Sequence, residues 1–407
     1  MLTYIRLFRR RSFTFMTTAD AVSVLGDQIG WVALLWFAMV TTQHAGYMGL
    51  LGLAFGFPGV LLGAIVGSVL DRAYHKKVLV TANVLLGIVF MAIPLLYKVH
   101  ALPMLVLFVL VLVAGCLTPF TSVGWMVVIP NLVTEDELGP ANSIVETIWN
   151  GASLLGPLLG GLLIERFGAT VAVFVDGVSF WVAALCVFVV REPQPHLETY
   201  QSEEPSQRSW FVHDTWDGIK TLYGLKAVWW IKLGAVGFNL AYGQLEVSLT
   251  LFTHNELARS AVILGSFWTM YFVSSLIGSL LSGLTSKGNR SGVTMAIMAV
   301  GWGMSFVPML WVHSLRITYI SVTLAGFLFG GYPPLARTVV QKLVPNKFMG
   351  RILGIRGSII ALGMPVGSYL GGAFGQWFPS SSVIGATGFV VAILGLLLLS
   401  RRSFRTI

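Results

Sequence analysis

The sequence predicts an all-α polytopic membrane protein with twelve transmembrane helices, arranged as two pseudo-symmetric halves of six. Three observations carry this prediction: the apolar composition, the distribution of basic residues, and an internal repeat. Of the 407 residues, 56% are apolar and only 11% are charged, whereas about 25% are charged in an ordinary globular protein. A soluble surface cannot be built from this composition, so soluble enzymes and secreted disulfide scaffolds are excluded.

Twelve apolar stretches are each long enough, at about 20 residues, to cross a bilayer as a helix. Cys116 and Cys186 lie inside two of these stretches, and we expect both to be packing residues. The predicted spans are 13–40, 47–70, 77–97, 102–129, 141–164, 171–190, 229–252, 261–284, 292–312, 317–336, 352–376 and 382–400.

One long polar segment, 191–226, separates the sixth span from the seventh. Its second part has apolar residues on one helical face, which predicts a short amphipathic helix at the membrane surface. Its first part is predicted to be a disordered linker, and a solvated loop with no role beyond tethering remains an open alternative. The predicted domains are therefore an N-terminal six-helix bundle at 1–190, a cytoplasmic linker at 191–226 and a C-terminal bundle at 227–407.

The basic residues indicate how the chain is oriented. With the N-terminus placed in the cytoplasm, 21 of the 26 Lys and Arg residues lie on the cytoplasmic side, four lie on the other side, and Lys232 lies within a span. This bias predicts that both termini are cytoplasmic. It also means that the net charge of +9 reflects membrane topology, and nucleic acid is not an expected partner.

An internal repeat predicts that the two halves share one architecture. Shifting the sequence by 211 residues superposes three separate motifs, as expected for the parallel halves of a transporter. The three pairs are "GSVL" at 67–70 with "GSLL" at 278–281, "NLVTEDELG" at 131–139 with "KLVPNKFMG" at 342–350, and "GPLLGG" at 156–161 with "GSYLGG" at 367–372.

The loop after the second span reads "GSVLDRAYHKK", which resembles the signature of the major facilitator superfamily. The matching residues are Gly67, Asp71, Arg72, Lys76 and Lys77. The resemblance implies the major facilitator fold, with transport by alternating access and a cytoplasmic contact that latches the outward-facing state. The second copy carries serine and glycine in place of the Asp-Arg pair, so we expect the latch on one side only.

The fifth span carries "GASLLGPLLGG", which resembles the Gly-Pro-x-x-Gly-Gly pattern of proton-coupled exporters in this superfamily. Gly156, Pro157, Gly160 and Gly161 are the matching residues. Small residues four apart favour close helix packing, and a proline permits a bend, so packing alone is the alternative interpretation. With its flanking sequences, the segment resembles the macrolide-efflux and siderophore-exporter branch of drug:proton antiporters. This resemblance implies a multi-pass protein of the bacterial cytoplasmic membrane.

Two aspartates in the first span are the leading candidates for proton coupling. Asp20 and Asp27 are two helical turns apart, so they project from one face with about 10 Å between them. A carboxylate in the middle of the membrane is costly to keep charged, and it is therefore suited to bind and release a proton. A permanent hydrogen bond from Asp27 to a neighbouring helix is the alternative.

Polar residues in three further spans are the other candidates. Asn239 and Glu246 follow Lys232 at intervals of seven, and we expect this stripe to line the central cavity. Lys232 is expected to extend its ammonium group to the cytoplasmic interface. Glu146 belongs to a polar face of the fifth span that serves either substrate contact or a hydrogen-bond network, and Asp176 in the sixth span is expected to be structural.

The sequence favours proton-coupled efflux of amphipathic drugs or metabolites, with siderophore export or lipid flipping as alternatives. The many Phe, Trp and Met residues of the spans suit a cavity for bulky amphipathic molecules. No histidine lies within a span, and no nucleotide-binding Gly-x-x-x-x-Gly-Lys-Ser/Thr loop is present. We therefore expect no metal or other cofactor and no catalytic site, with a proton gradient as energy source. Protons, membrane lipids and a small amphipathic substrate are the expected partners of a monomer.

Overall fold

The computed structural model describes residues 2–72, 74–190, 226–285, 291–343 and 346–405. Within these ranges the chain is helical and contains no strand. The helices are α1 Leu2–Arg9, α2 Arg11–Thr42, α3 Ala45–Arg72, α4 His75–Lys98, α5 Met104–Leu132, α6 Leu138–Phe167, α7 Ala169–Val189, α8 Lys226–Leu251, α9 Ala261–Thr285, α10 Ser291–Phe306, α11 Leu315–Leu343, α12 Asn346–Gly375, α13 Ser380–Ser400 and α14 Arg402–Arg405. Short 3₁₀ turns at Glu135–Glu137 and Val307–Leu310 and a π-helical turn at Phe252–Glu256 join some of them.

The twelve predicted spans coincide with helices α2 to α13, so the predicted fold class is confirmed. In the part of the chain that the structure describes, nine helices combine the length and the hydropathy needed to cross a bilayer. Of helices α2 to α13, α10 is the shortest, and the 3₁₀ turn Val307–Leu310 extends it almost to the predicted end of the ninth span at residue 312.

The internal repeat is also visible in the helix boundaries. A shift of 211 residues carries α5 (Met104–Leu132) onto α11 (Leu315–Leu343), and it carries α7 (Ala169–Val189) onto α13 (Ser380–Ser400), end for end. Packing repeats as well: α2 packs against α6 and α7, while its counterpart α8 packs against α12 and α13. The two halves are thus copies of one six-helix arrangement.

The helices form two compact units. One comprises Met1–Gln194 together with Thr253–Thr269, and the other comprises Pro195–Phe252 together with Met270–Ile407. The predicted division into 1–190, 191–226 and 227–407 stays a prediction. Most of the predicted linker, with its amphipathic helix, lies outside the described residues.

Helix α2 is the central element of the first unit, because it packs against both α6 and α7. Close approach is possible where the helices carry glycine, since a missing side chain lets two backbones come together. Between α4 and α7, for example, a Cβ atom at Gly87 would lie 2.9 Å from the carbonyl oxygen of Gly177. Glycines likewise allow neighbouring helices to approach the polar residues of α2 closely.

Candidate functional site

The two predicted aspartates of α2 lie in the interior of the first unit. Asp20 is 4% exposed, and Asp27, near the middle of the 32-residue helix, is half-buried. The carboxyl groups of Asp20 and Asp27 are close enough to interact electrostatically. The structure therefore brings the two residues together, as their spacing predicts.

A third carboxyl group, from Asp176 of α7, joins this pair. Asp176 is 1% exposed and interacts electrostatically with Asp27. The approach depends on two glycines that flank Asp27. A Cβ atom at Gly26 would lie 3.0 Å from Oδ1 of Asp176, and one at Gly30 would overlap the Asp176 carboxyl group. The hydroxyl of Ser179 donates to the backbone carbonyl of Asp176 at 2.8 Å.

Asp176, for which the sequence predicts only a structural role, thus belongs to a group called here the carboxyl cluster (Asp20, Asp27 and Asp176). A signal was present in the sequence. Gly26 and Gly30 form a small-x-x-x-small pattern around Asp27, which indicates close approach of another helix. The pattern does not say which helix approaches, and that information comes from the structure.

The predicted antiporter-like motif of α6 packs against α2 directly beside Asp27. A Cβ atom at Gly156 would overlap the side chain of Gln28, and one at Gly160 would lie 3.2 Å from the carbonyl oxygen of Ile29. The first glycine positions of the motif thus hold α6 against the residues that follow Asp27.

The same motif also contacts the first turns of α9, which belong to the first unit. A Cβ atom at Gly161 would lie 2.5 Å from the carbonyl oxygen of Ala261. One at Gly265 would overlap the carbonyl oxygen of Pro157. Thr269 donates to the carbonyl of Leu154 at 3.0 Å, in the same interface. The motif is therefore a packing surface for two helices.

Glu146 lies on an exposed face of α6 with Asn142 and Asn150. The Nδ2 of Asn150 donates to the backbone carbonyl of Glu146 at 2.8 Å, so this amide bonds within its own helix. The structure does not bring Glu146 to the carboxyl cluster by any contact of the described residues. Its role in substrate contact stays a prediction.

The polar stripe of α8 lies in the second unit. Asn239 is half-buried, and its Nδ2 donates to the carbonyl of Ala235 at 3.0 Å. Glu246 is 6% exposed and lies close enough to Tyr242 for electrostatic interaction. Lys232 is 3% exposed, so the expectation that it extends to the cytoplasmic interface is wrong. It is held in the interior because α8 packs against α12 and α13.

Aromatic side chains surround the middle of α8. The ring centroids of Phe238 and Tyr332 are 4.7 Å apart, and Tyr242 stacks with Phe329 at 6.0 Å. Tyr271 completes the group, at 6.1 Å from Tyr242. We call these five residues the aromatic cluster. The sequence predicts an aromatic cavity lining only in general terms, because composition does not say which rings meet.

The predicted latch lies partly outside the described residues. Gly67, Asp71 and Arg72 belong to α3, but their side chains are not among those that the structure describes. The Nζ of Lys76 donates to the carbonyl of Val190 at 2.8 Å. Lys77 is exposed and lies over the ring of Tyr74 at 5.3 Å. The latching role stays a prediction.

A salt bridge that sequence analysis did not predict ties the start of α2 to the turn before α6. A guanidinium nitrogen of Arg10 lies 2.8 Å from a carboxylate oxygen of Glu137, and Arg10 also donates to the carbonyl of Leu132 at 3.3 Å. Burial acts to raise the pKa of Glu137. Hydrogen bonds from Thr134 and the positive charges of Arg10 and Arg6 outweigh it, so the pKa lies below its ordinary value of 4.5.

These features define the class of the protein: a polytopic membrane transporter built from two six-helix repeats, with buried ionisable groups inside its helices. The sequence model of the Major Facilitator Superfamily matches residues 16–290 and 247–406. The chain therefore belongs to the Major Facilitator Superfamily.

Efflux proteins are among its relatives. The chain is 20% identical to macrolide efflux protein A of Streptococcus pyogenes over 380 residues, which cover 91% of this chain and 93% of that protein. It is 22% identical to the multidrug efflux pump Tap of Mycolicibacterium fortuitum over 362 residues, which cover 85% of each.

Solved structures share the fold. The nucleoside transporter NupG superposes with a TM-score of 0.76 at 12% identity, covering 95% of this chain and 98% of that one. A bacterial homologue of the human lysosomal transporter Spinster superposes with a TM-score of 0.71 at 13% identity, covering 98% and 96%. At these identities the likeness concerns the fold and not the substrate.

Proposed function

We propose that this protein exports amphipathic drugs or metabolites in exchange for protons, by alternating access. The observation that carries the proposal is the carboxyl cluster, in which Asp27 of α2 lies close enough to Asp20 of the same helix and to Asp176 of α7 to interact electrostatically with both. The efflux proteins among its relatives support the direction of transport.

The carboxyl cluster is suited to proton exchange for an electrostatic reason. Like charges that lie close together in a low-dielectric interior destabilise one another, so three neighbouring carboxylates cannot all remain ionised there. A proton that binds to the cluster relieves this repulsion, and opening the site to water favours its release. Exposure of Asp27 alternately to the two sides of the membrane would convert a proton gradient into work.

The aromatic cluster of the second unit supports an amphipathic substrate. Tyr242 and Phe329, the half-buried members of the cluster, offer ring faces and edges that pack against apolar or aromatic molecules without demanding one shape. Glu246, one turn beyond Tyr242, is a partner for a cationic group on such a substrate. The relatives include a macrolide efflux protein and a multidrug efflux pump, and macrolides are bulky amphipathic molecules of this kind.

The proposal includes the setting in which the protein works. It places the chain in the bacterial cytoplasmic membrane as a monomer, with both termini in the cytoplasm and lipids around its helices. Energy comes from the proton gradient, without a cofactor. Siderophore export and lipid flipping receive no specific support from any contact of the described residues.

Proton-driven efflux from everted vesicles tests the proposal. A fluorescent amphipathic dye is followed after a pH gradient is imposed, and dye-induced proton release is measured on the purified protein. We expect Asp27→Asn to abolish gradient-driven efflux and proton release, because the amide cannot exchange a proton. Asp136→Asn is the matched control, since Asp136 is an exposed aspartate outside the spans.

Two outcomes contradict different parts of the proposal. Full gradient-driven efflux after each of Asp20, Asp27 and Asp176 has been replaced by Asn would refute the assignment of coupling to the carboxyl cluster. Dye efflux that ignores the pH gradient in the unmodified protein would refute proton coupling while leaving drug export intact.

A further inference from the structure

A pocket of about 420 Å³ lies in the second unit between helices α8, α12 and α13. Leucine, phenylalanine and valine side chains form most of its wall, and none of the residues that line it is charged. Gln244 of α8 provides an amide group in this wall, and Thr387 of α13 provides a hydroxyl. An uncharged ligand with a large apolar part fits such a lining.

The amide of Gln244 points to a ligand. The residue is 2% exposed, and its Nε2 donates to the hydroxyl of Ser248 at 2.7 Å. Its Oε1 is fully buried, and no described residue donates a hydrogen bond to it. A buried acceptor without a donor is costly, so native proteins nearly always satisfy such a group. A hydrogen-bond donor on a molecule in the pocket would satisfy Oε1.

Helix packing alone does not require an amide at this position. The repeat offset of 211 residues places Ala33 of α2 at the position of Gln244, and Ala33 is 0% exposed. A small apolar residue therefore serves the equivalent packing site in the first unit. In the second unit the close contact between α8 and α12 involves the backbone of Gln244, because a Cβ atom at Gly371 would lie 2.8 Å from its carbonyl oxygen. The packing contact thus uses the backbone of Gln244, whereas its side chain donates to Ser248 and lines the pocket.

The pocket opens on the side of the helices that lipid covers. Phe374, Phe378 and Val390, which line it, are 50%, 57% and 64% exposed. Phe374 of α12 and Val390 of α13 lie on membrane-spanning helices, where large apolar side chains with this exposure face the hydrocarbon of the bilayer, whereas Phe378 lies in the turn between the two helices. A ligand can therefore reach Gln244 from the membrane.

We propose that this pocket binds a neutral, membrane-dissolved alcohol, whose hydroxyl group donates to Oε1 of Gln244 while its apolar part lies against Leu240, Phe374 and Phe378. A hydroxyl group is small, uncharged and able to donate, so it matches both the amide and the apolar wall. The site lies in the second unit, whereas the carboxyl cluster lies in the first, and it does not depend on proton coupling.

Photo-labelling in nanodiscs tests the proposal. The protein is reconstituted in phosphatidylcholine, which has no free hydroxyl, and labelled with a diazirine derivative of dodecanol or with the methyl ether of the same probe. We expect the alcohol to label peptides that contain Phe374, Phe378 or Val390. The ether cannot donate, and we expect it to label these peptides about fivefold to tenfold less at equal concentration. Equal labelling by the two probes overturns the proposal.

Three variants identify the groups involved. Gln244→Leu replaces the amide by an apolar group of similar size, and we expect it to abolish the preference for the alcohol. Ala386→Phe adds bulk at an exposed residue that lines the pocket, and we expect it to reduce labelling by both probes. Ser382→Ala, the matched control, removes another polar group of the lining and should keep the preference. Each variant is first checked by thermal unfolding. Retained preference in folded Gln244→Leu overturns the role of the amide.

Competition identifies where the alcohol comes from. Dioleoylglycerol is a membrane lipid with a free hydroxyl, and 4-octylphenol is a foreign alcohol of similar polarity. Competition by dioleoylglycerol assigns the pocket to bilayer lipids, whereas competition by 4-octylphenol alone assigns it to foreign alcohols. Failure of both to reduce labelling overturns specific binding of alcohols.

Discussion

At the residue scale, the salt bridge between Arg10 and Glu137 shows how a single ion pair fixes a junction of the first unit. Arg10 follows α1 directly, and Glu137 is the last residue of the turn before α6. Glu137 is 3% exposed overall, while the side chain of Arg10 is 37% exposed. The pair therefore lies at the boundary between protein and solvent and ties two helix starts together.

A pH-dependent stability follows from the lowered pKa of Glu137. Hydrogen bonds from Thr134 and the charges of Arg10 and Arg6 overcome burial and keep the pKa below 4.5 in the folded protein. A group of this kind stabilises the fold above its unfolded pKa, and the stabilisation is lost as the pH falls through its folded pKa. We expect Glu137→Gln to lower the melting temperature at pH 7, with the difference from the unmodified protein shrinking as the pH falls below 4.5.

Thermal unfolding in nanodiscs between pH 3 and pH 7 measures this difference. Asp136→Asn is the control, because Asp136 is an exposed neighbouring carboxylate. A difference between the unmodified protein and Glu137→Gln that stays constant over the whole pH range would show that Glu137 does not titrate as described.

At the element scale, glycines determine which helix faces meet. Gly26 and Gly30 admit Asp176 of α7 to the flank of α2, while Gly156 and Gly160 of α6 admit the adjacent residues of α2. Helix α2 is therefore held on two sides near Asp27. A helix with ordinary side chains at these positions would stand further away.

Replacement of Gly30 by alanine tests this packing. Its Cβ atom would overlap the carboxyl group of Asp176, so α2 and α7 would have to separate or the carboxyl group would have to move. We expect Gly30→Ala to destabilise the protein by about 1 to 3 kcal/mol, the usual range for overpacking. Reduced proton-driven efflux is expected with it, because the carboxyl cluster is displaced.

Gly151→Ala is the matched control for thermal unfolding and efflux. It is also a helical glycine, but no atom lies within 4 Å of the position that its Cβ would occupy. We expect it to be neutral or to stabilise the helix by up to about 1 kcal/mol. Equal stability and efflux in Gly30→Ala and Gly151→Ala would refute the packing argument.

The sequence predicts the positions of the helices better than it predicts which helices contact one another. Span positions follow from local hydropathy, and Asp20 and Asp27 share a face because helical spacing is local as well. Asp176 joins Asp27 through a helix almost 150 residues later, and no local pattern encodes that meeting. Lys232 was wrongly expected at the interface for the same reason, since its burial depends on the helices around α8.

At the scale of the whole molecule, the distribution of basic residues predicts the orientation in the membrane. The side predicted to be cytoplasmic carries 21 Lys and Arg residues and the other side four. Positive residues favour the cytoplasmic side during insertion, so the bias predicts the topology of every span. On this prediction both termini and the turn Glu135–Glu137 are cytoplasmic, and the loop between α2 and α3 is external.

Labelling of single cysteines in intact cells checks this topology. Cys116 and Cys186 are first replaced by alanine, and a cysteine is then introduced at His44, between α2 and α3, or at Ser400, at the end of α13. Both positions are exposed. We expect a membrane-impermeant maleimide to label His44→Cys in intact cells and Ser400→Cys only in everted vesicles. The reverse pattern would show an inverted orientation.

The duplication could be predicted from three short motifs, and the structure extends it to whole helices such as α5 and α11. The repeat does not preserve the ionisable side chains. Ile231, Phe238 and Thr387 stand 211 residues after Asp20, Asp27 and Asp176. Since a repeat constrains helix length and packing but not ionisable groups, the carboxyl cluster could not be located from the symmetry alone.

The difference in buried charged residues between the two halves has an electrical consequence. Among the described residues, the buried lysine and glutamate of α8 carry opposite formal charges, whereas the first unit buries two aspartates with a third half-buried beside them. The transmembrane voltage acts on net charge, with about 2.3 kcal/mol per elementary charge for every 100 mV. When these aspartates are ionised, the membrane voltage therefore exerts a net force mainly on the first six helices. Protonation neutralises the aspartates and removes this force.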